Sequence, residues 1–114
     1  LLSWDMRRLV RLSRELPVQA VPLSQIAELD SVHWYGHGSV KPTVRSIIEH
    51  CQLMLAADLA YPIILDSAGR VMDGMHRVSK ALMQGATQIT AVQFERDPAP
   101  DYVDCDPDLL PYDD

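Results

Sequence analysis

An aspartate, a glycine, a histidine and an arginine fall within five positions of "VMDGMHRVSK", residues 71–80. These residue types suit a bound phosphate. Gly74 would let the anion approach the backbone, and Arg77 could grip two of its oxygens in a fork. Asp73 could hold a metal ion on the phosphates or accept a proton from an attacking group. At about 100° per residue, His76, Arg77, Lys80 and Gln84 share one side of a helix expected over 75–84, with Met75, Val78, Ala81 and Leu82 on the other. Cations in a first helical turn oppose the partial positive charge already there, an arrangement that makes sense if an anion sits on that end. A plainer reading stands beside this one. Asp73 would be an N-cap worth about 1 kcal/mol, Gly74 would relieve a turn, and Arg77 would pair with Asp66 or with acids near the C-terminus. On spacing alone the plainer reading is slightly ahead.

The elements that must position these residues are legible from periodicity and punctuation. Residues 4–16 suit a helix with Met6, Leu9, Val10, Ser13 and Leu16 near one side, ended by Pro17. "VQAVPLSQIAEL" begins extended and turns into a short helical piece after Leu23, with Ser24 as its cap. "DSVHWYGHGSVKP" reads as a loop long enough to be functional. A helix then starts at Pro42 or Thr43, with Val44, Ile47, Ile48, Cys51, Leu55 and Leu59 as its apolar stripe. "YPIIL" is a buried strand, "DSAG" a tight turn and "RVM" a second strand. After the 75–84 helix, Gly85 takes the C-terminal glycine position, and "TQITAVQFE" is a third strand. The order predicts a small α+β domain, a mixed sheet packed with helices, over residues 1–96, followed by an acidic Pro/Asp-rich tail, 97–114.

Bulk properties narrow the function classes. The 114 residues make one domain with one modest core. A formal net charge of −6 argues against non-specific nucleic-acid binding, which needs basic surface. No apolar run approaches the ~18 residues of a membrane span, and the opening segment lacks the h-region and cleavage site of a signal peptide. Cys51 and Cys105 are too few for a disulfide framework, so a cytoplasmic protein with reduced thiols is expected. Arg7, Arg8, Arg11 and Arg14 cluster at one end of the chain, and Asp97, Asp101, Asp104, Asp106, Asp108, Asp113 and Asp114 at the other. The favoured consequence is a tail folded back on the first helix.

The stretch "YPIILDSAGRVMDGMHRVSKALMQGATQITAVQF", residues 61–94, resembles the core of the ParB/sulfiredoxin-like superfamily. There a "PI-apolar" strand, a turn and a second strand lead into a G-x-[HR]-R helix start, then a helix, a glycine and a final strand. The resemblance implies a ParB/sulfiredoxin-like fold that binds a nucleotide (ATP, ADP or CTP) with Mg²⁺. It implies phosphate contacts from Gly74, Met75, His76 and Arg77, with Lys80 alongside, and Asp73 near a metal or hydroxyl. Asp73 and His76 become the candidate catalytic residues. Arg45 matches, more loosely, a nucleotide-contacting arginine of ParB proteins. Phosphoryl transfer or nucleotide hydrolysis is the implied reaction class.

Departures from the family pattern trim these expectations. Sulfiredoxins carry a reactive cysteine where this chain has Met75, and a thioether cannot attack as a thiolate does. The helix-turn-helix and basic character of ParB proteins are missing. A related serine kinase has a catalytic acid before the long helix. Glu28 and Asp30 lie near that place, though neither can be aligned with it.

Other candidates rank lower. His33, His37, His50 and Cys51 could be drawn as a zinc site, but Cys51 fits the core stripe better. The 30–42 loop is expected to close over the pocket, with Trp34 or Tyr35 stacking on a base. Cys105 lies among aspartates that raise its pKa and disfavour a nucleophilic role. The methionines fill core gaps. The basic N-terminal helix could serve a protein partner or a homodimer, and a solvated face is its commoner explanation. The alternative to a nucleotide site is a non-catalytic interaction module on the same fold. A nuclease ranks last, lacking clustered carboxylates.

Overall fold

A computed structural model describes residues 2–35 and 41–103, with only the backbone of residues 2, 3, 102 and 103. His37, Cys105 and the last aspartates therefore lie outside the described residues. Strand β1 (Leu2–Ser3) is followed by α1 (Met6–Ser13), β2 (Gln19–Pro22), and two 3₁₀ turns at Leu23–Gln25 and Ala27–Asp30. Then come α2 (Val44–Ala56), β3 (Ile63–Leu65), β4 (Val71–Asp73), α3 (Met75–Met83), β5 (Gln88–Gln93) and β6 (Tyr102–Val103). The domain is α+β. Its main sheet has the order β2-β5-β3-β4, with β3 and β5 parallel and the other two pairs antiparallel.

The sheet is covered on both faces, and alternation along its central strands divides the core in two. Ile63, Leu65, Ile89 and Ala91 point to one face, where Met75, Val78 and Ala81 of α3 meet Val21, Leu23 and Ile26. Ile64 and Val92 point to the other, where Leu9 of α1 packs with Phe94, Trp4, Met6 and Leu16. That two-sided burial explains why "PIIL" is an unbroken apolar run. The β3–β4 hairpin turns where "DSAG" predicts it: the Asp66 carboxylate accepts from the Ala68 and Arg70 N–H groups, and Gly69 has φ 83°. β4 is an edge strand, and Glu28 reaches it by accepting a hydrogen bond from the Val71 N–H.

Residues 98–101, at the described start of the acidic segment, lie against the start of α1. Trp4 Nε1 donates to Pro98 O (2.9 Å), Arg8 Nη1 donates to Ala99 O (2.7 Å), and the Asp101 carboxylate accepts from the Asp5 N–H (2.8 Å). β6 then pairs antiparallel with β1.

Several expectations need correcting. α1 is shorter than 4–16, and Val10 is exposed because Leu9 and Ser13 carry the contact with the sheet. Ser24 is inside a 3₁₀ turn whose first position follows Pro22, so it caps nothing. Leu82 is exposed, since α3 buries only Met75, Val78 and Ala81. The largest departure is α2. Thr43 caps it as expected, accepting from the Ser46 N–H. Yet Val44, Ile47, Ile48, Cys51 and Leu55 are all exposed, and α2 has no buried residue. No helix among the described residues is long and apolar enough to cross a membrane.

Candidate functional site

The 73–77 turn owes its shape to Gly74. Its φ of 116° belongs to the left-handed region, where a Cβ is strained. A Cβ there would also stand 2.6 Å from Ile63 Cγ2 and 3.0 Å from Arg77 Nη2. Gly74, rather than Asp73, is the N-cap residue of α3, and no side chain caps this end. Asp73 instead ends β4 and accepts from Arg77 Nη2 through Oδ2 at 2.9 Å. The partner offered by the plainer reading, Asp66, pairs with Arg70.

Arg77 is a clamp. Beyond Asp73, its Nη1 donates to Pro62 O (2.8 Å) and Tyr61 O (3.1 Å). One guanidinium thus joins the entry to β3, the end of β4 and the first turn of α3. Both side chains of the pair are only 16% exposed, so this contact is shielded from solvent screening far more than an ordinary surface pair.

His76 is held differently. Its Nε2 lies 2.9 Å from His50 Nδ1, and the ring centroids are 5.2 Å apart with planes 22° from parallel. That separation is what two imidazoles sharing one hydrogen edge to edge produce. Trp34 stacks on both rings, at 4.3 Å from His50 and 4.7 Å from His76. Its Nε1 is buried without a hydrogen-bond partner among the described residues. Trp34 therefore stacks within the protein, and the expected base-stacking role is not needed to explain its position. Tyr35 lies edge-on to His50 and its hydroxyl accepts from Ser46 Oγ.

Lys80 is engaged at a distance from the turn. Its ammonium donates to Ala57 O (2.7 Å) and Leu55 O (3.0 Å), satisfying carbonyls at the end of α2. Arg45 is exposed near the start of α2.

A cleft of about 680 Å³ opens beside the turn. Asp73, Gly74, Met75, His76 and Arg77 line one wall. The C-terminal half of α1 with Arg14, Leu16 and Val18 lines another, and Leu53, Asp58 and Tyr61 complete it. Arg45, Lys80, Trp34 and Tyr35 are not among its lining residues. Met75 faces it while packing mostly into the core, at 6% exposure. Among the described residues no three His, Cys, Asp or Glu gather closely enough to hold a metal ion.

Two roles were missed in sequence: Arg14 is read there only as part of a basic cluster, and His50 only as a possible zinc ligand. Arg14 reaches the cleft because α1 lies across the sheet, a tertiary fact that its place in an arginine cluster does not carry. His50 had a readable signal: with Ser46 it forms an i, i+4 polar pair on one side of α2. No protein-family model, no curated protein and no solved structure matches the chain.

Proposed function

We propose that the cleft beside the 73–77 turn binds a nucleotide or a similar phosphate compound. The observation that carries this reading is the convergence on one cleft of an uncapped helix N-terminus, Arg77 and Arg14. The N–H groups of Met75, His76 and Arg77 precede the first intrahelical bond, Val78 N–H to Gly74 O, and are the donors an anion would take. Arg14 makes no side-chain hydrogen bond or ion pair among the described residues, leaving its charge for a ligand. The apolar wall of Leu16, Val18, Leu53 and Tyr61 suits the flat face of a base.

The resemblance to the ParB/sulfiredoxin-like superfamily points the same way, toward ATP, ADP or CTP carried with Mg²⁺ in the cytoplasm. A resident metal does not fit the donors here, since Asp73 is a single carboxylate already held by Arg77 through Oδ2. An ion arriving on the phosphates would find one acid at the turn, Asp73. In a phosphoryl-transfer or hydrolysis reaction, positioning and charge would supply most of the rate. His76, oriented by His50 and Trp34, is the candidate to accept a proton.

Calorimetric titration of ATP, ADP, CTP and GTP, with and without Mg²⁺, tests the reading. The informative variant is Arg14→Ala, because Arg77→Ala also removes a structural clamp. Arg14→Ala is expected to weaken binding about tenfold, roughly 1.4 kcal/mol, with an unchanged melting temperature. Absence of binding by all four nucleotides would sink the proposal and leave the interaction module, which the exposed stripe of α2 favours.

A further inference from the structure

His50 and His76 are joined by one hydrogen between Nδ1 and Nε2, 2.9 Å apart. Both rings lie on the Trp34 indole, with centroids 4.3 and 4.7 Å away and planes 22° and 13° from parallel. His76 lines the cleft, whereas His50 and Trp34 are not among its lining residues. The proton capacity of the pair follows from this geometry. Neutral, it holds one hydrogen in the bridge and one on an outer nitrogen. A further proton, taken from solvent onto the remaining outer nitrogen, leaves the bridge in place and makes it charge-assisted, hence stronger. The indole face attracts that cation whichever ring carries it. One more proton would set N–H against N–H and break the bridge. The two rings are therefore a single site for one proton.

We infer, on the reading of the cleft as a nucleotide site, that an anion entering it draws this proton onto the pair, so that binding is coupled to proton uptake. In the empty cleft the N-terminus of α3 opposes a positive charge at His76. Arg77 and Arg14 line the same cleft. The carboxylate of Asp73 is held by Arg77, and Lys80, one turn along α3, is tied to the carbonyls of Leu55 and Ala57. The 31–35 segment brings Tyr35, edge-on to His50, and His33, edge-on to Trp34. On α2 the neighbours Glu49 and Cys51 each point about 100° away from His50 and are exposed. Asp58, also exposed, lines the cleft beyond the end of α2. An anion resting on the Met75, His76 and Arg77 N–H groups lies beside the His76 ring and reverses the field there. Linkage fixes the sign. Affinity should rise as pH falls through the pair's ligand-bound midpoint and level off below its ligand-free midpoint, about tenfold for a separation of one unit.

Sodium sulfate is the probe, because it stays a dianion throughout the range in which imidazoles titrate. Every proton taken up then belongs to the protein. The imidazole NMR signals of His50 and His76 are followed against pH in sulfate and in sodium chloride of equal ionic strength. Sulfate is expected to raise both midpoints together, by about one pH unit. His50 is outside the cleft lining, so its response must travel through the shared hydrogen. In His76→Gln the His50 signal should no longer answer to sulfate. A rise at His76 alone overturns the inference, as does no change at either ring, or a His50 signal that still answers to sulfate in His76→Gln. Calorimetry with ATP, ADP, CTP and GTP at about pH 7.5, where terminal phosphates are already ionised, separates this coupling from nucleotide binding itself. A nucleotide that binds with an enthalpy independent of the buffer overturns the coupling and leaves the nucleotide reading standing. Failure of sulfate and all four nucleotides to bind overturns both.

Discussion

α1 and α2 reverse what their compositions suggest. α1, "MRRLVRLS", has three arginines in eight residues and yet closes a core, with Leu9 only 1% exposed. α2, "VRSIIEHCQLMLA", is far more apolar and buries nothing. The difference lies in what each helix rests on. Beneath α1 are Ile64, Val92 and Phe94, an apolar sheet face that selects Leu9 and leaves the arginines to water. Beneath α2 is the side of α3 that carries His76 and Lys80, polar groups that need partners more than contact area. They select His50 and the carbonyls of residues 55 and 57, while Ser46 on the same side of α2 donates to the Tyr35 hydroxyl. Burial is decided by the chemistry of the docking surface as much as by the helix docked.

The largest effect should come from truncating matched aliphatic side chains on the two helices. Leu9→Ala is expected to cost about 2–5 kcal/mol in denaturant unfolding, by transfer and cavity terms together. Ile48→Ala should cost no more than about 0.5 kcal/mol at concentrations where the chain is monomeric. Equal costs would erase the contrast and show α2's stripe to be buried. Next in size is Gly74→Ala, which tests the surface that α2 docks on. A left-handed residue driven against Ile63 should lose roughly 2–4 kcal/mol, and α3 would shift with it. Wild-type stability in that variant would mean the turn can relax without Gly74.

A smaller effect isolates the polar dock itself. Lys80→Met keeps the aliphatic stem and removes the charge-assisted bonds to Leu55 O and Ala57 O. Roughly 1–2 kcal/mol is expected from leaving those carbonyls to water. Amide hydrogen exchange should quicken over residues 53–57 and leave α1 protected. Faster exchange spread evenly over both helices would mean that Lys80 supports the core as well as the end of α2.

The same contrast explains what was legible in the sequence. β3, β4, β5, the Asp66–Gly69 turn and Gly85 follow from local rules: alternation, turn chemistry and positive φ. The face of α1 was half legible, because Leu9 and Ser13 are one turn apart, while Val10 differs from Leu9 only in which way the sheet lies. The face of α2 was not legible as a docking face. A hydrophobic stripe marks where a helix prefers apolar company, and it cannot say whether this chain supplies it. At the site, "DGMHR" marked a strand-to-helix turn, which the structure places beside the cleft. It could not reveal that Arg77 would be spent on Tyr61, Pro62 and Asp73, or that His76 would find its partner 26 residues upstream. Those partners are set by tertiary contacts between segments that have no shared local pattern.

The smallest effect belongs to the segment strapped across α1, and pH reveals it. The Asp101 carboxyl is held below its ordinary range chiefly by the hydrogen bond from the Asp5 N–H; desolvation opposes this, and the hydrogen bond and charge of Arg8 add smaller contributions in the same downward direction. A carboxyl whose folded pKa is depressed contributes stability above its unfolded value of 3.8, and loses it as pH falls through the folded value. The strap should therefore loosen only in acid, below about pH 4. Trp4 reports the change, because its indole donates to Pro98 O. In a Trp34→Phe background its fluorescence should move toward the solvent-exposed spectrum as pH drops. Arg8→Ala should shift that transition only slightly upward, since the larger hold on Asp101 is a backbone donor. Asp101→Asn should produce the loosened spectrum at neutral pH and leave no acid transition at Trp4. A transition that survives in Asp101→Asn would assign the acid sensitivity to another carboxylate.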